Sequence, residues 1–365
     1  MALESIRICG FKSIRDARVE LKGLNVLIGA NGAGKSNLIQ AFALLRAVVD
    51  QRLREHVLRQ GGASALLHRG PKVTSTLVLK VAIRLGDVDN AYEVQLMPVP
   101  SDTLAIGEER GSFTSPRFSR PYEYVMEAGS ESTLAGEAKE GKNAQYLLTT
   151  MARWQLFHFH DTSPQARVKQ LADIDDNEAL RPDAANLAPF LWRLQQRHPA
   201  SYAEIRDTIR RIAPYFRDFR FRELPRSPGK MLLEWEEVGN DGYYTAHALS
   251  DGTLRFMCLA TLLLQPDPPS IIIIDEPELG LHPEAIQLLA ALMRSVAQRD
   301  KQLLVSTQSV TLVNQLSPDD LIVVDRDAEQ STFRRPGADE AATWLEHYAL
   351  GDLWEKGQLG GLPGR

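Results

Sequence analysis

A chain of 365 residues with a net charge of −5 has no global electrostatic attraction for nucleic acid or acidic lipid, so any such binding needs a local patch. Its 44% hydrophobic and 24% charged residues suit one large α/β core with an insertion, and Cys9 and Cys258, each in an apolar setting, read as core thiols. The amino terminus lacks the basic and apolar regions of a secretory signal, and Arg255 interrupts the longest apolar run, Leu254–Leu264; a cytoplasmic protein without a membrane span is expected.

In chain order, Ser5–Gly10 and Ala17–Leu21 read as strands around the turn-like Phe11-Lys-Ser-Ile, and Leu24–Ile28 as a third strand. Gly29–Ser36 then reads GANGAGKS, which fits the phosphate-cradling pattern G-x-x-x-x-G-K-[ST]. Glycines at 29, 32 and 34 let the backbone turn tightly and bring its N–H groups to the phosphates, Lys35 supplies a point charge, and the Ser36 hydroxyl suits Mg²⁺. A helix of good formers starts at Asn37, placing its dipole behind the loop. Val73–Leu85, Ala91–Val99 and Pro121–Ala128 predict an antiparallel sheet, with Pro98–Pro121 as an exposed loop rich in Ser, Pro, Gly and charge.

From Asn143 to about Arg222 the pattern turns helical, most clearly at Tyr202, Ile205, Ile209, Ile212 and Phe216. Strands return at Met231–Val238 and Tyr243–Ala248. Thr253–Leu264, Ser270–Ile274, Pro283–Arg299, Gln302–Ser306, Val310–Leu316 and Asp320–Asp325 then alternate helix and strand, the mark of a parallel sheet covered by helices. The expected domains are 1–140 and 231–326 as two halves of one phosphate-loop domain, 141–230 as a mainly helical insertion, and 327–365 as a tail with a helix near Thr343–Tyr348.

Ser270-Ile-Ile-Ile-Ile-Asp-Glu-Pro ends a fully buried strand in two carboxylates: Asp275 as a metal ligand and Glu276 to orient a water for attack on a γ-phosphate. Leu249-Ser-Asp-Gly opens a helix with a capping serine, an anion-binding turn.

Together with Phe11-Lys-Ser-Ile, Glu276-Pro-Glu-Leu-Gly-Leu-His-Pro283 and Ser306-Thr-Gln-Ser, these motifs resemble the ATP-binding-cassette ATPases of the RecF, SMC and OLD type, and more narrowly their stand-alone AAA-like members. The resemblance covers roughly 1–80 and 230–326. It implies a P-loop α/β fold with a mixed sheet covered by helices, an N-terminal antiparallel part and an inserted subdomain. ATP and Mg²⁺ are the implied cofactors. Gly29, Ala30, Asn31, Gly32, Ala33, Gly34, Lys35, Ser36 and Asn37 would hold the nucleotide, with Ser250 and Gly252 of a second copy closing a head-to-tail sandwich. Ser36 and Asp275 would bind the metal, Glu276 would be the base, and Gln308 occupies the switch position commonly held by His. Glutamine there hydrogen-bonds a phosphate or water but relays no proton. Gln145 and Gln155 are the alternatives for the family's remaining conserved glutamine.

The 40 residues after Asp325 are too few for the toprim nuclease of OLD proteins, so an ATPase without it is expected. DNA and a separate nuclease or toxin effector are the further partners considered, for a role in DNA repair or antiphage defence. The alternative is an ATP-gated regulatory or scaffold protein with little turnover. Eight basic residues with interleaved aromatics between Arg206 and Lys230 suggest nucleic-acid contact, against the plainer reading of a solvated helix face and a buried strand. His158, His160 and Asp161 are a weak metal candidate, and His282 reads as structural.

Overall fold

The computed structural model describes residues 2–116, 120–336 and 349–361. Two long strands, β1 (Ala2–Phe11) and β2 (Ile14–Glu20), form a hairpin; β3 (Leu24–Ile28) leads into α1 (Lys35–Val49). Short helices α2 (Leu53–Arg59) and α3 (Ala63–Leu66) precede β4 (Leu77–Leu85), β5 (Val88–Val99), β6 (Thr103–Thr114) and β7 (Tyr122–Met126). Then follow α4 (Leu134–Glu140), α5 (Lys142–Ala152), β8 (Trp154–Phe157), β9 (Ala172–Asp173), α6 (Leu187–Arg197) and α7 (Pro199–Ile212). After β10 (Phe216–Arg220), β11 (Lys230–Met231), β12 (Glu234–Glu237) and β13 (Tyr243–Thr245), α8 (Asp251–Leu264) enters the second half of the core. That half contains β14 (Ile271–Asp275), α9 (Pro283–Ala297), β15 (Gln302–Ser306), α10 (Val310–Val313), β16 (Leu321–Asp327), β17 (Gln330–Arg334) and α11 (Leu350–Glu355).

The central sheet has the order β17-β16-β3-β15-β14-β8, with β17 its one antiparallel member. Its strands are apolar because both faces are covered. Ile271 and Ile273 enter one hydrophobic core and Ile272 and Ile274 the other, as side chains alternating across a strand must. The core entered by Ile272 and Ile274 holds α6, α7, α8 and α9; the one entered by Ile271 and Ile273 holds α1 and the antiparallel sheet β2-β1-β4-β5-β6-β7. Helix α1 buries Leu38, Ile39, Ala41, Phe42, Leu44 and Leu45, and so is apolar around most of its circumference.

The expected P-loop α/β architecture is present, with three differences in detail. Within Pro98–Pro121, the expected loop, Thr103–Thr114 is strand β6, paired with β5 along its whole length. Its polar composition conceals alternation in which Leu104, Ile106, Glu109 and Gly111 are buried. Glu109 tolerates burial because Tyr92, Ser132 and the Thr133 backbone donate to it. A Cβ at Gly111 would collide with the Tyr124 ring. Gly111→Ala is therefore expected to cost about 1–3 kcal/mol, read as a lower urea midpoint. Second, the stretch read as helical contributes β8 to the central sheet and also contains β9 and β10; a four-residue strand is too short to announce itself by period. Third, β17 returns from the tail to pair with β16, whereas Thr343–Tyr348 lies outside the described residues.

Candidate active site

The parallel register sets the site. Asp275 ends β14 beside Ser306 at the end of β15, and β3 ends on the other side of β15, delivering Gly29–Ser36 to the same sheet edge. Ligands of open α/β sheets bind at this carboxyl edge.

Two glycines fix the loop. A Cβ at Gly29 would collide with the Val324 carbonyl of β16. Gly34 has φ 119°, and a side chain there would collide with the Ser331 hydroxyl of β17. Ser331 donates to the Ala33 carbonyl at 2.5 Å and meets Ser13 Oγ at 2.6 Å, while Asn37 Nδ2 donates to Ser13 at 2.6 Å. Lys12 Nζ reaches Gln40 Oε1 on α1. The Phe11-Lys-Ser motif is thus a brace: Phe11 is buried, and the next two residues clamp the phosphate loop and α1. Asn37, expected at the nucleotide, is part of that clamp. Ser331 was missed by the sequence reading because a lone serine in a polar tail carries no motif.

Lys35 is buried, its ammonium donating to the carbonyls of Gly29 at 2.5 Å and Ala30 at 3.0 Å. Burial lowers its pKa, and the carboxylates of Glu276, Asp275 and Glu278 raise it in return. A depressed lysine facing three carboxylates is suited to an incoming polyanion. Asn31, Gly32 and Ser36 are exposed at the mouth of the loop.

Asp275 accepts from Ser306 through Oδ1, and Ser36 Oγ lies 3.4 Å from its Oδ2. A hydroxyl and a carboxylate oxygen form the hard donor set that Mg²⁺ prefers. Glu276 follows with φ 42°, a left-handed conformation unusual outside glycine, secured by its N–H donating to the Ser306 carbonyl at 2.9 Å. Gln308 Nε2 donates to Glu276 Oε1, so the expected base and switch residues are in contact. Glu278 is buried and accepts from Thr307 Oγ1 and the Gln308 N–H; burial raises its pKa, and the Thr307 bond opposes that shift.

Ser250 caps α8, accepting from the Thr253 N–H at 3.2 Å. Gly252 packs so closely on Gly280 that a Cβ would collide with its carbonyl. Buried Arg255 donates at 3.0 Å to the carbonyls of both Phe159 and His160, tying α8 to the segment after β8. Among the described residues no hydrogen bond joins Ser250–Gly252 to Gly29–Ser36 of the same chain.

Other candidates fare differently. Gln145 lies on α5, and Gln155 pairs with Ile272, back from the sheet edge; His158 is the residue that follows β8 beside Asp275. Among the described residues no cluster of His, Cys, Asp and Glu suits a metal, so His158, His160 and Asp161 form no such group. In the basic segment, Arg206, Arg210, Arg217, Arg222 and Lys230 are ion-paired, and Phe216 and Phe219 are core residues. Five of the eight basic side chains thus have acidic partners within the fold.

The fold and these motifs define a P-loop ATPase head of the ATP-binding-cassette type. Two family profiles match: "AAA ATPase domain" over residues 1–67, and "AAA domain, putative AbiEii toxin, Type IV TA system" over residues 137–314. Together with the fold, these matches support a RecF/SMC-type ABC-like ATPase. It is 35% identical over 104 residues to the DNA replication and repair protein RecF of Renibacterium salmoninarum, a match covering 27% of this chain and 26% of RecF. The SmcHead bound to the C-winged helix domain of ScpA superposes with a TM-score of 0.62 at 14% identity, over 94% of this chain and 100% of that one. The Smc head with an extended coiled coil, bound to the C-terminal domain of ScpA derived from Pyrococcus furiosus, gives 0.56 at 16% identity, over 94% and 98%. The chain spans between a fifth and two fifths of the ABC and RecF relatives it matches. No helix among the described residues is long and apolar enough to cross a membrane.

Proposed function

We propose that this protein hydrolyses ATP between two copies of the chain arranged head to tail. The observation that carries this reading is the split of its motifs. Ser36, Asp275, Glu276 and Gln308 converge at one sheet edge, whereas Ser250 and Asp251 are exposed with no bond to it. Leu279, 51% exposed beside Gly280, supplies an apolar contact on the same face as the capped turn.

Lys35 would exchange its backbone carbonyls for β- and γ-phosphate oxygens, and backbone N–H groups of Gly29–Ser36 would hold the remainder. Ser36 and Asp275 would hold Mg²⁺, which when bound neutralises phosphate charge. Glu276 accepts the proton of the attacking water as its oxygen bonds to the γ-phosphorus and the bridging bond to ADP breaks. Gln308 keeps that carboxylate oriented but takes no proton. A cavity of about 570 Å³ beside the Phe11-Lys-Ser turn, lined in part by Cys9, Arg15, His68, Arg69 and Gln330, offers room for the base.

Ser250→Arg tests the arrangement: ATP affinity of the monomer should stay within about threefold, because the loop is intact, while dimerisation and turnover are lost. Sedimentation velocity with and without ATP is the measurement; a dimer unaffected by the arginine would refute the sandwich. A role in DNA repair or antiphage defence is supported by the RecF relative and by the toxin-system family description. The second reading, an ATP-gated regulator with little turnover, is favoured by Gln308 in the switch position and by solved neighbours that hold a protein partner. ATPase rates with and without duplex DNA separate the two. Absence of wild-type hydrolysis under both conditions would leave the regulator, and DNA-independent hydrolysis would remove DNA from the first reading.

A further inference from the structure

We propose that Glu278 is a positioning residue for hydrolysis, holding the Thr307–Gln308 turn so that the Gln308 amide faces Glu276. The proposal rests on the ATPase reading above. Glu278 is only 8% exposed, and its Oε1 accepts from Thr307 Oγ1 at 2.5 Å and from the Gln308 N–H at 3.2 Å. Thr307 Oγ1 in turn accepts from the Ser309 N–H at 2.9 Å, and the Thr307 N–H donates to the Leu27 carbonyl of β3 at 3.0 Å. One carboxylate oxygen therefore joins the loop after β14, which carries Glu276, to the loop after β15, which carries Gln308, with the phosphate-loop strand as anchor.

A carboxylate is a costly group for this place. Its Oε2 is buried with no hydrogen-bond partner, and an apolar side chain would fill the same space without desolvating a charge. Departures from local optimum of this kind, next to the left-handed Glu276, mark a geometry held for chemistry. Gln308 is exposed, and its side chain meets Glu276 only while its backbone is held.

The test measures kcat, KM for ATP and melting temperature for Glu278→Ala, Glu278→Gln and Thr307→Val, each in wild-type and Gln308→Ala backgrounds. Expected is a kcat loss of about 10–100-fold for Glu278→Ala with KM within about threefold, and less than about twofold further loss once Gln308 is alanine. Glu278→Gln should recover most of the rate, since its carbonyl oxygen can accept both bonds. A kcat unchanged in Glu278→Ala, or lowered equally in both backgrounds, overturns the proposal. Should Glu278→Ala not fold, Thr307→Val decides by the same comparison. If the wild type does not hydrolyse ATP, the ATPase reading fails by itself. Deuterium uptake at residues 306–309 then judges the anchoring: faster in Glu278→Ala but not in Glu278→Gln supports it, and unchanged uptake in both overturns it.

Discussion

Lys35→Ala should abolish ATP binding at micromolar nucleotide, and ATP-dependent dimerisation with it. The ammonium sits in a pocket of loop carbonyls with three carboxylates acting on it across the site. An anion entering there gains charge-assisted bonds of about 1.5–3 kcal/mol each. Loss of two such bonds weakens binding by about 100-fold or more, since each 1.4 kcal/mol is tenfold. Removing the lysine also leaves Asp275, Glu276 and Glu278 facing the triphosphate without the nearby cation. Calorimetric titration with ATP measures the effect, and a melting temperature within a few degrees of wild type shows that the fold survives. A mutant that still dimerised on ATP would break the link between loop and assembly.

Glu276→Gln should have the opposite consequence for assembly. A positioned general base contributes about 10²–10⁴ in rate, so kcat should fall by at least about 100-fold. Binding should persist, because the amide keeps the shape of the side chain and its carbonyl oxygen still accepts from Gln308. Nucleotide that is bound but not cleaved accumulates in the closed state, so this variant should show the larger dimer fraction with ATP·Mg²⁺. Gel filtration with light scattering reads that fraction, and a variant that turns over at the wild-type rate would remove Glu276 from the chemistry.

The legible part of the site was the part written as contiguous motifs. Gly29–Ser36, the isoleucine run into Asp275-Glu276 and the capped turn at Ser250 each encode a local geometry, and the structure places each on the element its pattern demands. What stayed hidden was long-range. Ser331 contacts Ala33 across 298 positions, and nothing near it in the chain announces that contact. Strand β6 was concealed because Gly107, Gly111 and its charged residues imitate a loop, although the glycines make room for Met97 and Tyr124 on neighbouring strands. Strand β8 was concealed by length, and its place beside β14 is a tertiary fact. The basic segment left two readings open for the same reason: its sequence does not show that folding brings Glu236 and Glu234 to Arg217 and Arg222.

The most direct test of a site shared between two copies is to mix two inactive variants, Lys35→Ala and Ser250→Arg. Each alone forms no complete site. In a mixed dimer the intact loop of one copy meets the intact Ser250–Gly252 of the other. Because neither variant dimerises alone, the dimers in an equimolar mixture are mixed, each with one complete site in two, so ATPase activity should rise from background towards at most about half of wild type. A mixture no more active than its separate components, or a Ser250→Arg variant that hydrolyses ATP normally by itself, would contradict the shared site.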